Sequence, residues 1–449
     1  RREDLGKEAA PLCNRIVQSG ETTLVHHELD TNGIDYLTLF FDIRDFKTEE
    51  LPYLGILKSV LGYVDTAEYS YAELANEINI RTGGVGSSVG IYPSVRDRDR
   101  LGLFFEIRAK ALPTQLSDAM HLAEQMILTS KLTDGKRLYE ILGEIRSGLQ
   151  VALSSYGHIV AHTRAMSYLS RAAYYQDAIG GIAAYRLIAD YESHFEEKKD
   201  ALIAKLQELS RRIFTRDRLM VGITCESGNF AVEALKTKLL VPEKPAAARE
   251  LPPVELALRN EGFMDASQVQ YVARAGNYAA HGYQYHGALR ILRVILGYEY
   301  LWVNIRVKGG AYSCMNQYMR NGDTYFVSYR DPNLAATNEV YEGIPEYVGE
   351  FEADEREMTK YIIGTVSDLD MPLGPRAKGA RSMMAYLQEL TYEEIQKERD
   401  EIIGATQEDI RALKGLLASV LSDGALCVVG GEDALRKNAE MFENLEAIS

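Results

Sequence analysis

The sequence predicts an α+β fold of two tandem homologous domains, each a mostly antiparallel sheet with helices packed on one face. Its 449 residues exceed the roughly 250–300 beyond which a single hydrophobic core stops growing. The same local patterns recur half a chain apart, which indicates an internal duplication. Between the copies stand Pro242, Pro245, Pro252 and Pro253, in a stretch that can be neither helix nor inner strand.

Matching segments define the duplication. Residues 53–63 and 285–298 each run from a Tyr to a Leu-Gly-Tyr, and both patterns predict buried helices. Further on, residues 78–84 match residues 303–310, and both segments contain Asn-Ile-Arg followed by a Gly-Gly pair. Arg81 and Arg306 therefore hold equivalent places in the two copies.

Hairpins are predicted from alternating segments that follow each Gly-Gly pair. They comprise residues 87–95 with 101–109 in the first copy, and 313–319 with 324–330 in the second. The second turn contains Asn321-Gly322, which favours a type I′ turn with positive φ at both residues. An opening hairpin is predicted over residues 24–42, with Thr31-Asn32-Gly33 as its turn.

The remaining elements follow from periodicity and capping. One apolar helix face is formed by Leu138, Ile141, Leu142, Ile145, Leu149 and Leu153. Thr391 with Glu394, and Thr406 with Asp409, predict capping boxes that open successive helices. Each copy is expected to close with a strand and a helix, at 218–225 and 229–239, and at 425–429 and 433–445.

The predicted organisation has four parts. Residues 1–20 would be the end of a connector, 21–240 the first repeat, 241–254 the linker and 255–449 the second repeat. Because the chain begins at Arg1 without an initiating Met or an apolar signal segment, we expect it to be a piece of a longer protein.

Composition argues against two classes of partner. A net charge of −15 would repel a phosphate backbone, and no basic cluster interleaved with aromatic residues offsets it, so no nucleic-acid partner is expected. No apolar run reaches the roughly 18–20 residues of a membrane helix, so no membrane partner is expected. The cysteines are far apart and form no C-x-x-C pair, which fits a reducing compartment.

Histidine spacing gives no complete metal site. An H-x-x-E-H zinc motif is absent, and the nearest string, His121-Leu-Ala-Glu-Gln125, lacks the second imidazole. His158 and His162 stand four apart, but Ile159 occupies the place of the general base, so packing is the simpler interpretation. His26 and His27 lie on a predicted strand, where neighbouring side chains point to opposite faces.

Two further motif types predict no site. The glycine string at residues 83–88 lacks the Lys-Ser/Thr ending of a P-loop and precedes a strand, so a strand bend explains it better than a phosphate cradle. No G-x-S-x-G nucleophile elbow is present.

The segment from Arg306 to Tyr312 is the remaining candidate. A guanidinium and a phenolic hydroxyl, presented from a strand interrupted by Gly309 and Gly310, could bind a peptide carbonyl or stabilise an oxyanion. On spacing alone, a salt-bridged arginine and a core tyrosine would be the simpler interpretation.

Over essentially its whole length, the chain resembles the C-terminal half of presequence-protease-type enzymes in the insulinase or pitrilysin family of zinc metallopeptidases. The resemblance rests on Arg-Val-Lys-Gly-Gly-Ala-Tyr at 306–312, Asn-Gly-Ile-Asp-Tyr at 32–36, Gly157-His158 before a helix, and the duplicated architecture. In that family four homologous domains form two halves that close around a peptide-sized chamber.

The resemblance implies a division of labour. The zinc and its H-x-x-E-H ligands would lie in the N-terminal catalytic half, where zinc-activated water attacks the scissile carbonyl, and no cofactor is expected in this chain. Arg306 and Tyr312 would reach that site to bind peptide substrates. At the equivalent helix of the first repeat this chain has Leu54 to Lys58, which cannot bind zinc. A bacterial cytoplasmic location is expected.

Two alternatives stay open. The chain could be a stand-alone, non-catalytic peptide-binding subunit that pairs with a separate catalytic protomer. It could also be an independent hydrolase that uses His158 and His162.

Overall fold

The structure, a computed structural model, describes residues 1–19, 22–226, 241–243 and 247–448. It confirms the α+β class, since it contains two six-stranded sheets, one in each predicted repeat. The strands of the first sheet are β1 (Asn14–Ser19), β2 (Thr22–Glu28), β3 (Asp35–Asp42), β4 (Gly84–Pro93), β5 (Leu101–Ala111) and β6 (Leu219–Cys225). Those of the second are β7 (Glu261–Asp265), β8 (Gln270–Asn277), β9 (Ser313–Tyr318), β10 (Asp323–Tyr329), β11 (Ala425–Gly431) and β12 (Asn444–Ala447).

Helices separate the strands of each sheet. In the first repeat they are α1 (Leu51–Val60), α2 (Tyr71–Arg81), α3 (Leu116–Leu128), α4 (Gly135–Ser155), α5 (Gly157–Ser167), α6 (Arg171–Gly180), α7 (Ile182–Ser193) and α8 (Phe195–Ile213). In the second they are α9 (Ala288–Ile295), α10 (Ala335–Glu342), α11 (Ile344–Gly349), α12 (Glu355–Leu369), α13 (Pro375–Leu387), α14 (Tyr392–Gly404), α15 (Gln407–Arg411), α16 (Lys414–Ser422) and α17 (Glu432–Lys437). The two capping boxes predicted for α14 and α15 are present.

Both sheets are mixed and mainly antiparallel. The first has the order β1-β2-β6-β3-β5-β4, with β2 parallel to β6. The second has the order β12-β7-β11-β8-β10-β9, with β7 parallel to both β11 and β12. In each sheet the predicted hairpin that follows the Gly-Gly pair forms one edge, as β4 with β5 and as β9 with β10.

The predicted opening hairpin is wrong in its pairing. The chain does reverse at Asn32 and Gly33, whose φ angles are 53° and 73°. However, β6 lies between β2 and β3, parallel to the former and antiparallel to the latter. On its outer side β2 pairs with β1, so residues 14–19, which were predicted to belong to a connector, form part of the first sheet. A turn signal shows where a chain reverses but not which distant strand enters the gap.

Two local predictions in the second repeat also need correction. Of the two turn residues, only Gly322 has a positive φ, 96°, and its N–H donates to the carbonyl of Met319 at 3.0 Å, so the turn is not type I′. The Asn321 side chain instead donates to buried Asp323. The helix predicted over residues 433–445 ends at Lys437, and the chain then enters β12. The helix predicted at 229–239 lies outside the described residues.

One face of each sheet carries the main core of its repeat. The first core joins β3 and β5 to α1, α3 and α8, and the second joins β8 and β10 to α9, α11 and α16. The opposite face is covered by a helix from the other repeat. Met383 of α13 packs on Val25 and Phe40 of the first sheet. Ala161 and Ala165 of α5 lie in one cluster with residues of β8 and β11 in the second.

The described chain between the repeats has little regular structure. Residues 247–260, which include Pro252 and Pro253, form neither helix nor strand, while Pro245 lies outside the described residues. Among the helices that the structure describes, none combines the length and apolarity needed to span a bilayer.

Candidate substrate-binding site

Arg306 lies on a helix, which corrects the prediction that it lies on a strand. After α9, the chain forms two wide, π-helical segments, Leu296–Tyr300 and Trp302–Lys308, and Arg306 belongs to the second. Its counterpart Arg81 is the last residue of α2. In both repeats the arginine thus ends a helix before the edge strand. Wide turns of this kind are rare and often occur at functional sites.

Gly309 and Gly310 end this helix for separate reasons. A Cβ on Gly309 would lie 2.5 Å from the Ile305 carbonyl oxygen, which is too close for any side chain. Gly310 has a φ of 83°, the left-handed conformation in which helices commonly end. The N–H groups of Gly310 and Ala311 donate back to the carbonyls of Arg306 and Ile305, at 2.9 and 3.1 Å. The chain therefore turns sharply into β9.

The Arg306 guanidinium is fixed by aromatic rings and a carbonyl. It lies 4.2 Å from the ring centroid of Trp302 and 5.3 Å from that of Tyr312, within range for cation–π attraction. One of its N–H groups donates to the backbone carbonyl of Tyr312. Within the described ranges, no carboxylate lies in salt-bridge range of Arg306. Its charge is oriented but not neutralised.

Tyr312 is held by its backbone and presents its side chain to solvent. Its N–H donates to the Tyr329 carbonyl at 3.0 Å, and its ring lies 5.8 Å from that of Tyr329. The residue is 63% exposed. Among the residues described, none accepts a hydrogen bond from its hydroxyl. The simpler interpretation, a salt-bridged arginine and a core tyrosine, is therefore wrong for both residues.

The surroundings of this pair suit a peptide. Arg306 and Tyr312 supply hydrogen-bond donors, which can bind a carbonyl oxygen or a developing oxyanion. On the same helical segments, Tyr298 and Val307 are 71% and 66% exposed and could contact apolar side chains of a ligand. Together these residues form a donor site with an apolar margin.

His158 and His162 pack against tyrosines. The His162 ring stacks on Tyr325 at 4.0 Å with an interplanar angle of 4°, and His158 meets Tyr329 edge to face at 4.8 Å. Burial lowers the pKa of both imidazoles, that of His162 to about 4. Each Nδ1 is buried without a hydrogen-bond partner in the described structure. The packing interpretation fits these contacts, and His158 supports Tyr329, which in turn backs Tyr312.

The other histidines have local partners as well. His121 and Gln125 both contact the Glu68 carboxylate, at 3.0 and 2.9 Å. On β2, His27 contacts Thr224 and Asn14, while His26 is within 3.3 Å of the Cys225 sulfur. Across the described ranges, no three His, Cys, Asp or Glu side chains are grouped to hold a metal ion.

Sequence reasoning missed three residues that build the site. Trp302 stacks on Arg306, Tyr329 backs Tyr312, and the Asn333 side chain donates to the Gly309 carbonyl at 2.6 Å. Trp302 is the only tryptophan in the chain and precedes Arg306 by four residues, so helical spacing could have identified it. The other two lie across a strand pair or a loop and leave no local signal.

Comparison with known proteins places this geometry in a family. Residues 1–190 match the family model for the associated domain of subfamily C of the M16 peptidases, and residues 260–431 match the "PreP C-terminal domain" model. Among curated proteins, the chain is similar to protein HypA of Clostridium perfringens, with 35% identity over 99% of this chain and 46% of the relative. It is also 28% identical to presequence protease 1 of Arabidopsis thaliana, over 99% of this chain and 42% of the relative. The chain spans less than half the length of these relatives.

Solved structures share the fold. A peptidase M16 inactive domain from Pseudomonas fluorescens aligns with a TM-score of 0.64 at 13% identity, covering 93% of this chain and 98% of that one. The periplasmic protease PqqL from Escherichia coli aligns with a TM-score of 0.60 at 14% identity, covering 96% of this chain and 48% of that one. Two consecutive matches to models of this family, relatives aligned over nearly all of the chain, and a shared fold lead to one assignment. The chain belongs to the presequence-protease-type family of M16 peptidases and corresponds to its C-terminal, non-catalytic half.

Proposed function

We propose that this chain is the substrate-binding half of a zinc-dependent metalloendopeptidase that degrades short, unstructured peptides in a closed chamber. An N-terminal catalytic half would be its partner. The observation that carries the proposal is the exposed pair Arg306 and Tyr312, which is held rigidly while its donors remain free for a ligand. The relatives named as presequence proteases support a peptide as that ligand.

Each residue of the pair has a distinct role in this proposal. The Arg306 guanidinium binds carbonyl oxygens of the peptide backbone and fixes its register. The Tyr312 hydroxyl donates to the oxygen that becomes negative as the scissile carbonyl is attacked. The double-glycine turn and the Trp302 ring keep both groups in place, so that little reorganisation is needed during the reaction.

The metal that the family implies does not fit the residues of this chain. In α1, Leu54 and Lys58 stand where a catalytic repeat would carry ligands, and His158 and His162 are packed against tyrosines. Under the proposal the zinc ligands belong to the N-terminal half, as an H-x-x-E-H motif. The cytoplasm of a bacterium is the proposed location, in keeping with the bacterial relative.

The test is Tyr312→Phe in a protein that carries both halves. Loss of a donor that acts in the transition state is expected to lower kcat by about 10 to 10³-fold while KM changes little. Steady-state hydrolysis of a quenched fluorescent peptide measures both constants. The matched control is Tyr298→Phe, which removes an exposed hydroxyl from the neighbouring helical turn and should leave kcat unchanged. An unchanged kcat in Tyr312→Phe would refute the assigned role.

A further inference from the structure

A second cavity lies on the outer face of the first sheet, away from Arg306 and Tyr312. It has a volume of about 570 Å³ and is bounded by β3, β4 and β5 on one side and by α13 on the other. Ligand sites in proteins commonly span roughly 300–1,000 Å³. Phe40, Met383 and Met384 form an apolar part of the wall, and the rest of the wall is polar.

The polar part carries an excess of positive charge. Arg108, Lys110 and Arg376 line the cavity together with one carboxylate, that of Glu106. Burial lowers the pKa of the adjacent His27 to about 4, so this imidazole is neutral at pH 7. In a chain whose net charge is −15, such a cluster stands out.

Glu106 neutralises only one of these cations. It is fully buried and accepts hydrogen bonds from Ser88 at 3.1 Å, from Tyr92, and from Arg108 at 2.9 and 2.5 Å. Lys110 and Arg376 have no acidic partner in the part of the chain that the structure describes. The Arg376 guanidinium instead lies 6.0 Å from the ring centroid of Tyr36. Two cations at the cavity are therefore left without a counter-charge.

Glycines form the β4 side of the cavity, and the protein's own structure explains three of the four. A Cβ on Gly83 would lie 2.2 Å from Lys110 Cε, and one on Gly90 would lie 2.0 Å from a Glu106 oxygen. Gly84 has a φ of +131°, which L-residues rarely adopt. Gly86 has neither constraint, since its φ is not positive and a Cβ would meet nothing within 4 Å. The space beside Gly86 opens into the cavity.

We propose that this cavity, the α13 cleft, binds a carboxylate carried by the peptide substrate. Lys110 and Arg376 supply the counter-charges, and Gly86 leaves room for the peptide backbone along β4. The neighbouring apolar wall accepts an adjacent side chain. The carboxylate can be the peptide's C-terminus or an Asp or Glu side chain. This inference rests on the proposed function, because it takes from it that the ligand is a peptide.

The test measures peptide binding to the 449-residue chain by fluorescence anisotropy. Three versions of one unstructured, N-terminally labelled peptide are compared: the free acid with acidic side chains, its C-terminal amide, and the free acid with Asn and Gln in place of Asp and Glu. The variants are Lys110→Gln, which removes one counter-charge, and Gly86→Val, which fills the space. Valine suits a strand and meets no neighbour here, so Gly86→Val should fold with an unchanged Tm. Arg436→Gln, on an exposed helix, is the charge control.

We expect Lys110→Gln to weaken binding of the free acid by about 3- to 10-fold and Gly86→Val by about 10-fold or more. Arg436→Gln should have no effect. Weaker binding of the amide identifies the C-terminus, and weaker binding of the Asn/Gln version identifies an acidic side chain. The proposal is overturned if the free acid does not bind at up to about 1 mM, if all three peptides bind equally, or if neither cleft variant changes the Kd.

A parallel measurement separates this inference from the proposed function. If Tyr312→Phe lowers kcat in the two-half protein while the cleft variants leave peptide binding unchanged, the cleft is excluded and the proposed function stands. If the cleft variants weaken binding while Tyr312→Phe has no effect on kcat, the cleft stands and the assignment of Tyr312 falls.

Discussion

At the scale of single residues, exposure separates Tyr312 from the other tyrosines of its sheet. A buried tyrosine such as Tyr341 gains packing energy and donates its hydroxyl to a carbonyl, in this case that of Val272 at 3.1 Å. Tyr312 gains neither contribution within the described chain, although two glycines and a strand junction fix its backbone. Its side chain therefore contributes little to folding, and its placement is explained best by a ligand.

Asp35 provides a prediction about stability. It is fully buried at the start of β3, and neither carboxylate oxygen has a hydrogen-bond partner in the described structure. Burial, aided by the charge of Glu226, raises the pKa of Asp35 to about 6. Because the folded pKa lies above the unfolded value, stability is lost as pH rises from about 4 to about 6.

Asp35→Asn is therefore expected to raise the free energy of unfolding at pH 7 by on the order of 1–2 kcal/mol, with no gain near pH 3.5. Urea denaturation at both pH values measures the difference. Asp200→Asn, on exposed α8, should change neither value. A gain of equal size at both pH values would show that ionisation of Asp35 is not the cause.

At the scale of elements, local patterns predicted more than long-range pairing did. The apolar periodicity of α4, the capping boxes of α14 and α15, and the two edge hairpins are each encoded within about twenty residues. The entry of β6 between β2 and β3 depends on residues almost two hundred positions away, and no turn signal contains it. At the site, the segment before Gly309 follows no simple period, because wide helical turns match neither an α-helix nor a strand.

The docking of α5 on the second sheet has its own pH dependence. His162 stacks on Tyr325, and burial lowers the pKa of His162 to about 4. Since the folded pKa lies below the unfolded value of about 6.5, this contact loses stability as pH falls from about 6.5 to about 4. A neutral aromatic ring in the same place would not be protonated.

His162→Phe should retain the stack and reduce the loss of unfolding free energy between pH 6.5 and pH 4 by about 2 kcal/mol. Chemical denaturation across this pH range measures the slope. Tyr325→Phe also keeps the stack but retains the imidazole, so its slope should stay that of the unsubstituted protein. Equal slopes in His162→Phe and the unsubstituted protein would contradict this account.

At the scale of the whole molecule, the two repeats exchange helices. On the outer face of each sheet lies a helix from the other repeat, and buried charges reinforce one of these contacts. Arg164 of α5 donates to Glu261 of β7 at 2.6 Å and to Asp177 at 2.6 Å, while the Tyr168 hydroxyl donates to Glu261 at 2.9 Å. Removing one partner from such a buried network commonly costs about 3–5 kcal/mol. The repeats are therefore similar in sequence pattern but interdependent in structure.

Dividing the chain within the linker tests this interdependence. A fragment of residues 1–243 would leave Arg164 without Glu261 and the first sheet without α13, and a fragment of residues 247–449 would leave the second sheet without α5. We expect each fragment alone to bind a hydrophobic dye and to self-associate, because apolar sheet faces become exposed. Co-expressed fragments should form a 1:1 complex in sedimentation velocity, and Arg164→Met should weaken that complex. Two monomeric fragments that each unfold cooperatively would show instead that the exchanged helices are not required, and that each repeat is an independent domain.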